Sequence, residues 1–238
     1  SIAWLSGWIP EKDLPAFTKF ASDTQIAYIA DDPLDEELPP TKVENNALVS
    51  LVQPVFDFIG SVPNYREYDI SGLFLAFFTI FFAIIFGDGG YGSLIFLFTL
   101  FSILSSAIRR KPVPQLLKLV LLLSGATVVW GFISGSWFGI PYDSLPSLLQ
   151  RSVLPWISPN NPNAEENIKV LCFIIGLVQL SIAHLKNIVR DFPSPKFIGQ
   201  AGQLAMVNGM FYVVLNLIVN PQRYVIPGWA MMLIAGGF

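Results

Sequence analysis

From residue 71 onward the chain runs in long stretches that contain no Asp, Glu, Lys or Arg, and no other feature limits its fold as tightly. The stretches are 71–87, 89–108, 119–142, 170–185 and 197–222, and a further one opens near Val225. A hydrocarbon core of roughly 30 Å takes about 20 apolar helical residues to cross. The pattern therefore predicts about six membrane segments, the last cut short at Phe238. Inside a bilayer the backbone must satisfy its own hydrogen bonds, which leaves helices or a closed barrel. Barrel strands alternate in polarity over about ten residues. Phe77-Phe78-Thr79-Ile80-Phe81-Phe82-Ala83-Ile84-Ile85-Phe86 does not alternate, so helices are predicted.

Composition agrees: hydrophobic residues make up 53% and charged ones 13%, against roughly 25% charged in soluble domains. Residues 1–70 hold twelve acidic and four basic side chains, whereas residues 71–238 hold five acidic and ten basic ones. A solvated acidic head thus precedes an apolar, weakly basic body, and neither half suits nucleic acid. Cys172 stands alone, which excludes an intramolecular disulfide and a cysteine metal cluster. Ser1 leads straight into Ile2-Ala3-Trp4-Leu5 without the basic start of a signal peptide. With the apolar end at Phe238, this reads as a fragment of a longer protein.

Residues 1–40 read as the end of a cytoplasmic α/β domain and an acidic linker. Ile2–Trp8 and Thr24–Ala30 have strand character, and Pro10-Glu11-Lys12-Asp13 opens a short amphipathic helix ending near Ala21. Asp31–Pro40, with Asp32, Asp35, Glu36, Glu37 and Pro39, is the linker. Across 41–70, Val43, Leu48, Leu51, Val52, Val55, Phe56 and Ile59 make a helix-like stripe suited to a membrane surface, before Pro63 redirects the chain. Residues 71–238 are the transmembrane domain.

Basic residues near helix ends set orientation. Arg109, Arg110, Lys111 and Lys118 follow the second run, and Lys186, Arg190 and Lys196 follow the fourth. The alternate connections hold only Arg151, Lys169 and Arg223. That asymmetry predicts a cytoplasmic head and puts the Pro-, Ser- and Asn-rich loop 143–168 outside, with Trp130, Trp137, Tyr142 and Trp156 at the outer boundary.

Four segments recur in a known order: Gly7-Trp8-Ile9-Pro10-Glu11 before an acidic stretch, Pro39-Pro40-Thr41-Lys42, Phe86-Gly87-Asp88-Gly89-Gly90-Tyr91-Gly92, and Gly131-Phe132-Ile133-Ser134-Gly135-Ser136-Trp137-Phe138-Gly139. Together they resemble the membrane-embedded stator subunit of V-type and A-type rotary ATPases, called subunit a or, in prokaryotes, subunit I. The resemblance implies a cytoplasmic arm that docks peripheral stalk subunits and a membrane domain flanking the proteolipid (c/K) ring. It also implies a central-stalk-associated membrane-sector neighbour, two proton half-channels, and a plasma-membrane location if the source is prokaryotic. The family's essential arginines lie on later tilted helices, so no position here inherits their role.

Two ionisable residues inside the apolar region are candidates for a proton path. Asp88, in a Gly-rich turn, either caps the following helix or lines an outer half-channel. His184, the one histidine, shares a helical face with Ser181, Asn187 and Asp191 and stands opposite Gln179, Lys186 and Arg190. It either hydrogen-bonds within the bundle or passes protons between waters. Small residues every fourth position, Thr127, Gly131, Gly135, Gly139 and Ala201, Ala205, Gly209, predict close helix packing. No nucleotide-binding Gly-x-x-x-x-Gly-Lys-Ser/Thr loop occurs, so no catalytic site, cofactor or metal is expected. A secondary transporter, or a serine protease pairing Ser134 or Ser136 with His184, is the alternative.

Overall fold

The computed structural model describes residues 3–34, 36–60, 65 and 67–238. Ile2 of the first expected strand, Asp35 of the linker and the expected turn at Pro63 lie outside these residues. The chain forms two compact units, Ser1–Leu75 and Ala76–Phe238.

In the first unit the described residues contain helices and extended chain but no strand, which corrects the expected α/β remnant. Residues 3–8 and 24–30 have strand-like composition, yet neither finds a ladder partner among the described residues, and Trp4, Leu5 and Ile29 stay exposed. A 3-10 turn at Glu11–Asp13 leads into helix α1, Leu14–Asp23. Pro15 falls in its first turn, where the missing N–H costs nothing. The Thr24–Ala30 segment folds back on α1 through side chains instead. Phe17 and Tyr28 meet edge to face at 5.3 Å, and Tyr28 Oη donates to Thr18 Oγ1 at 3.0 Å. Lys12 pairs with Glu44, whose carboxylate raises the Lys12 ammonium above its ordinary pKa while Lys12 holds Glu44 below its own.

The expected surface helix over 43–60 is shorter in the structure. It consists of a 3-10 turn, Val49–Val52, and helix α2, Gln53–Ile59, ended by left-handed Gly60. Leu51, Val52 and Phe56 form its buried side, and the Phe56 ring packs at a tilt on Phe74, with centroids 5.0 Å apart.

Helix α3, Ser71–Phe86, carries the chain into the second unit, which is built from helices. The unit continues with α4 (Gly89–Ile108), α5 (Gln115–Ser134), a short α6 (Ser147–Ser152), α7 (Ala164–Asp191), α8 (Lys196–Val214) and α9 (Gly228–Gly237). A π-helical turn, Leu215–Val219, extends α8. Among the described residues four spans are long and apolar enough to cross a membrane: Gly89–Ile108, Gln115–Ser134, Ala164–Asp191 and Lys196–Val219. The expected six reduce to four because α3 has 16 residues and α9 has 10. At 1.5 Å per residue these reach only about 24 and 15 Å, short of a 30 Å core.

Antiparallel hairpins α4–α5 and α7–α8, with α9 on α8, make the body. Ala83, Trp130 and Ile157 form a buried cluster, ringed by Ile84, Ala126, Ile133, Ile168 and Leu171. This cluster lies where α5 ends and α7 begins. Elsewhere large apolar side chains such as Phe98, Phe101 and Val189 stand exposed, as on a surface that faces lipid tails.

Candidate functional site

The turn between α3 and α4 is built around Asp88. It takes the N-cap position of α4, where Oδ1 accepts from Gly90 N–H at 2.8 Å and Tyr91 N–H at 3.0 Å. These are among the backbone donors that a helix start leaves without partners. Oδ2 reaches further and accepts from Gly139 N–H at 3.3 Å, beyond the end of α5. The neighbouring Gly89 N–H donates to Ser136 O at 2.9 Å. One carboxylate and one amide thus tie the start of α4 to the loop after α5.

Glycine makes that approach possible. A Cβ on Gly89 would lie 2.7 Å from Gly131 Cα, one on Gly90 2.5 Å from the Phe138 ring, and one on Gly92 2.8 Å from Thr127 Cγ2. Thr127 and Gly131 lie at this crossing, whereas Gly135 and Gly139 fall beyond the last residue of α5. Helix α5 stops at Ser134, and Gly135 closes it in the left-handed region at φ +77°. Gly139 turns the following loop at φ +67° with open space around it.

Across α8 and α9 the close contact falls at Gly209 and, beyond the expected stripe, at Gly202. Gly209 meets Ala230 O and Ile234, and Gly202 meets Gly237. Gly202 and Gly209 are seven apart, two helical turns, and so share a face. Ala201 and Ala205 instead line an open groove of about 400 Å³ with Leu204, Phe211 and Trp229.

His184 sits near the far end of α7, half-buried against α8. Its Nδ1 is 3.0 Å from Gln200 Oε1, and Asn187 Nδ2 donates to the same oxygen at 3.4 Å. Asp191, on the same face, instead pairs with Arg190 at 2.9 Å. Sequence reasoning missed Gln200. Its only signal there is an amide in a charge-free run, one turn after Lys196.

Asp88 and His184 are not brought together. Asp88 belongs to the end where Leu171 packs on the Trp130 cluster, and His184 follows thirteen residues later on one continuous helix. That is a displacement of about 20 Å. Ser134, buried at the same end as Asp88, is equally remote, so the alternative pairing of Ser134 with His184 does not form. At the Asp88 end Glu166 joins α7 to the chain beyond α8, accepting from Asn220 Nδ2 at 2.8 Å and Arg223 Nη1 at 3.3 Å. Among the described residues no group of three His, Cys, Asp or Glu side chains is placed to hold a metal ion.

Known proteins are similar to this chain in sequence. The V-type ATPase 116kDa subunit family model matches residues 1–145. The whole chain is 39% identical to V-type ATP synthase subunit I 1 of Treponema pallidum, and 93% of it is 30% identical to V-type ATP synthase subunit I of Borreliella burgdorferi. It covers 38% and 37% of those two proteins' lengths. Over 41% of the chain it is 30% identical to human V-type proton ATPase 116 kDa subunit a 3, of which it covers 12%.

Proposed function

From the premise that the chain belongs to the V-type ATPase 116kDa subunit family, we propose that it is a stator part of a rotary ATPase membrane sector, contributing to the passage of protons or sodium ions past a proteolipid ring. ATP hydrolysis or synthesis would take place on other subunits. The observation that carries the reading is the family match over residues 1–145, because it takes in the Asp88 turn and both helices that the turn clamps. Peripheral stalk subunits, a central-stalk-associated membrane-sector subunit and the bilayer are the further partners on this reading.

Seven basic residues at the α4–α5 and α7–α8 turns, against three at the opposite end, support a reading with those turns and residues 1–70 in the cytoplasm. In a prokaryote the membrane is then the plasma membrane. Asp88 stands near the outer face on this reading and His184 near the inner one, and each serves a separate aqueous approach to the ring. A secondary transporter would gather its ionisable residues at the midplane, whereas Asp88 and His184 occupy opposite ends of the bundle.

The test is ATP-driven ion flux in the assembled, reconstituted complex. Asp88→Asn and His184→Gln should each slow it severalfold with assembly intact. Wild-type flux in both from pH 6 to 8 would reduce these residues to structural ones.

A further inference from the structure

We propose that Gln200 is a positioning residue for His184: its amide oxygen fixes the imidazole with the proton on Nδ1 and leaves Nε2 as the atom that takes up and releases protons. The proposal rests on the proton-path reading of His184 and specifies its chemistry.

Gln200 Oε1 is a shared acceptor: it carries only lone pairs and lies 3.0 Å from His184 Nδ1. It also receives Asn187 Nδ2 at 3.4 Å, so two donors from successive turns of α7 converge on one oxygen of α8. A neutral imidazole has one N–H and one lone pair. For Nδ1 to face this oxygen it must carry the hydrogen, and the lone pair is then on Nε2.

The same bond survives protonation. In the imidazolium both nitrogens are donors, so Nδ1–H keeps its place on Gln200 while Nε2 gains a hydrogen from a water and later returns one. No ring flip is needed, and the proton enters and leaves at one atom. Nearby charges come from Lys186, Arg190 and Asp191 on α7 and Lys196 on α8, while α9 contributes no ionisable side chain. Arg190 and Asp191 are engaged with each other, which leaves an amide rather than a carboxylate as the orienting group.

Imidazole-15N labelling of the assembled complex in lipid bilayers, with His184→Gln as the blank, isolates the His184 ring signals by difference. They should show Nδ1 protonated and Nε2 bare in the neutral form. Gln200→Leu should shift the population toward the Nε2–H tautomer and, in the reconstituted complex, lower flux severalfold. Gln200→Glu should keep the Nδ1–H tautomer and retain more flux than Gln200→Leu, because a carboxylate oxygen accepts from Nδ1–H as the amide oxygen does. A wild-type ring protonated on Nε2, or a tautomer indifferent to Gln200→Leu, overturns the proposal. The expected tautomers with wild-type flux in both His184→Gln and Gln200→Leu overturn the proton-path reading and leave only the orientation of the ring.

Discussion

Gly89→Ala adds one methyl group at the closest approach of α4 and α5, and the structure sets its cost. The new Cβ would lie 2.7 Å from Gly131 Cα and 3.2 Å from the Trp137 ring. Carbon atoms rest about 3.5–4.0 Å apart, so the helices must separate by roughly 1 Å at this point. The obstacle is backbone, which cannot rotate aside as a side chain can. Overpacking of this kind costs about 1–3 kcal/mol. Separation also stretches the bond from Gly89 N–H to Ser136 O, worth about 1 kcal/mol. Alanine recovers part of this through its helix preference, at most about 1 kcal/mol over glycine. A net loss of about 2 kcal/mol is expected. Reversible unfolding in mixed micelles would measure it, with Gly176→Ala as the control. Gly176 lies inside α7, and an added methyl there would meet nothing within 4 Å, so that variant should match or exceed wild type. Stability within about 0.5 kcal/mol of wild type for Gly89→Ala would refute the claim that glycine is required at this crossing.

Asp88→Asn should keep the N-cap through its remaining oxygen but present an amide to Gly139 N–H, losing about 1 kcal/mol in the same assay; Asp88→Ala should lose more. Gly139→Ala meets no atom but must hold φ +67°, so it should cost about 1–2 kcal/mol from strain alone, and Gly139→Asn less. For topology, an impermeant thiol reagent on intact cells should reach a cysteine placed at Asn161 and not one at Gln115. The reverse labelling would invert the orientation.

The helical body was legible because charge-free length is a one-dimensional property. The ends of the helices were not, since hydropathy does not record where the backbone turns. The run 119–142 stays apolar past Ser134, yet Gly135 ends α5 and the rest is loop. Conversely, α7 extends beyond the run 170–185 at both ends, because Glu165, Lys169, Lys186 and Arg190 lie in its terminal turns. The head failed for a different reason. Residues with strand character form a strand only when another strand offers its edge, and the described residues around 3–8 and 24–30 offer none to each other. Of the site, Asp88 announced its cap through the glycines beside it. Gln200 required the pairing of α7 with α8, a register that neither helix encodes alone.

The two hairpins treat their polar side chains in opposite ways, and this divides the roles open to them. Along α4 and α5, Ser93, Ser102, Ser106, Ser124 and Thr127 each donate to the carbonyl four residues earlier in the chain. Hydroxyls satisfied in this way ask nothing of the partner helix, and the crossing is left to glycine and threonine surfaces. Between α7 and α8 the polar groups reach across: His184 and Asn187 to Gln200 at one end, Glu166 to Asn220 at the other. Cross-helix bonds are exchangeable with water, since each donor and acceptor can accept a bridging molecule without breaking a helix. Asp88 contributes at the mouth of the sealed pair, with its oxygens held by backbone N–H groups. His184 places one nitrogen against Gln200 and keeps the other outside that bond, so on the proposed proton-path reading it is the one of the two residues with an atom left for proton exchange.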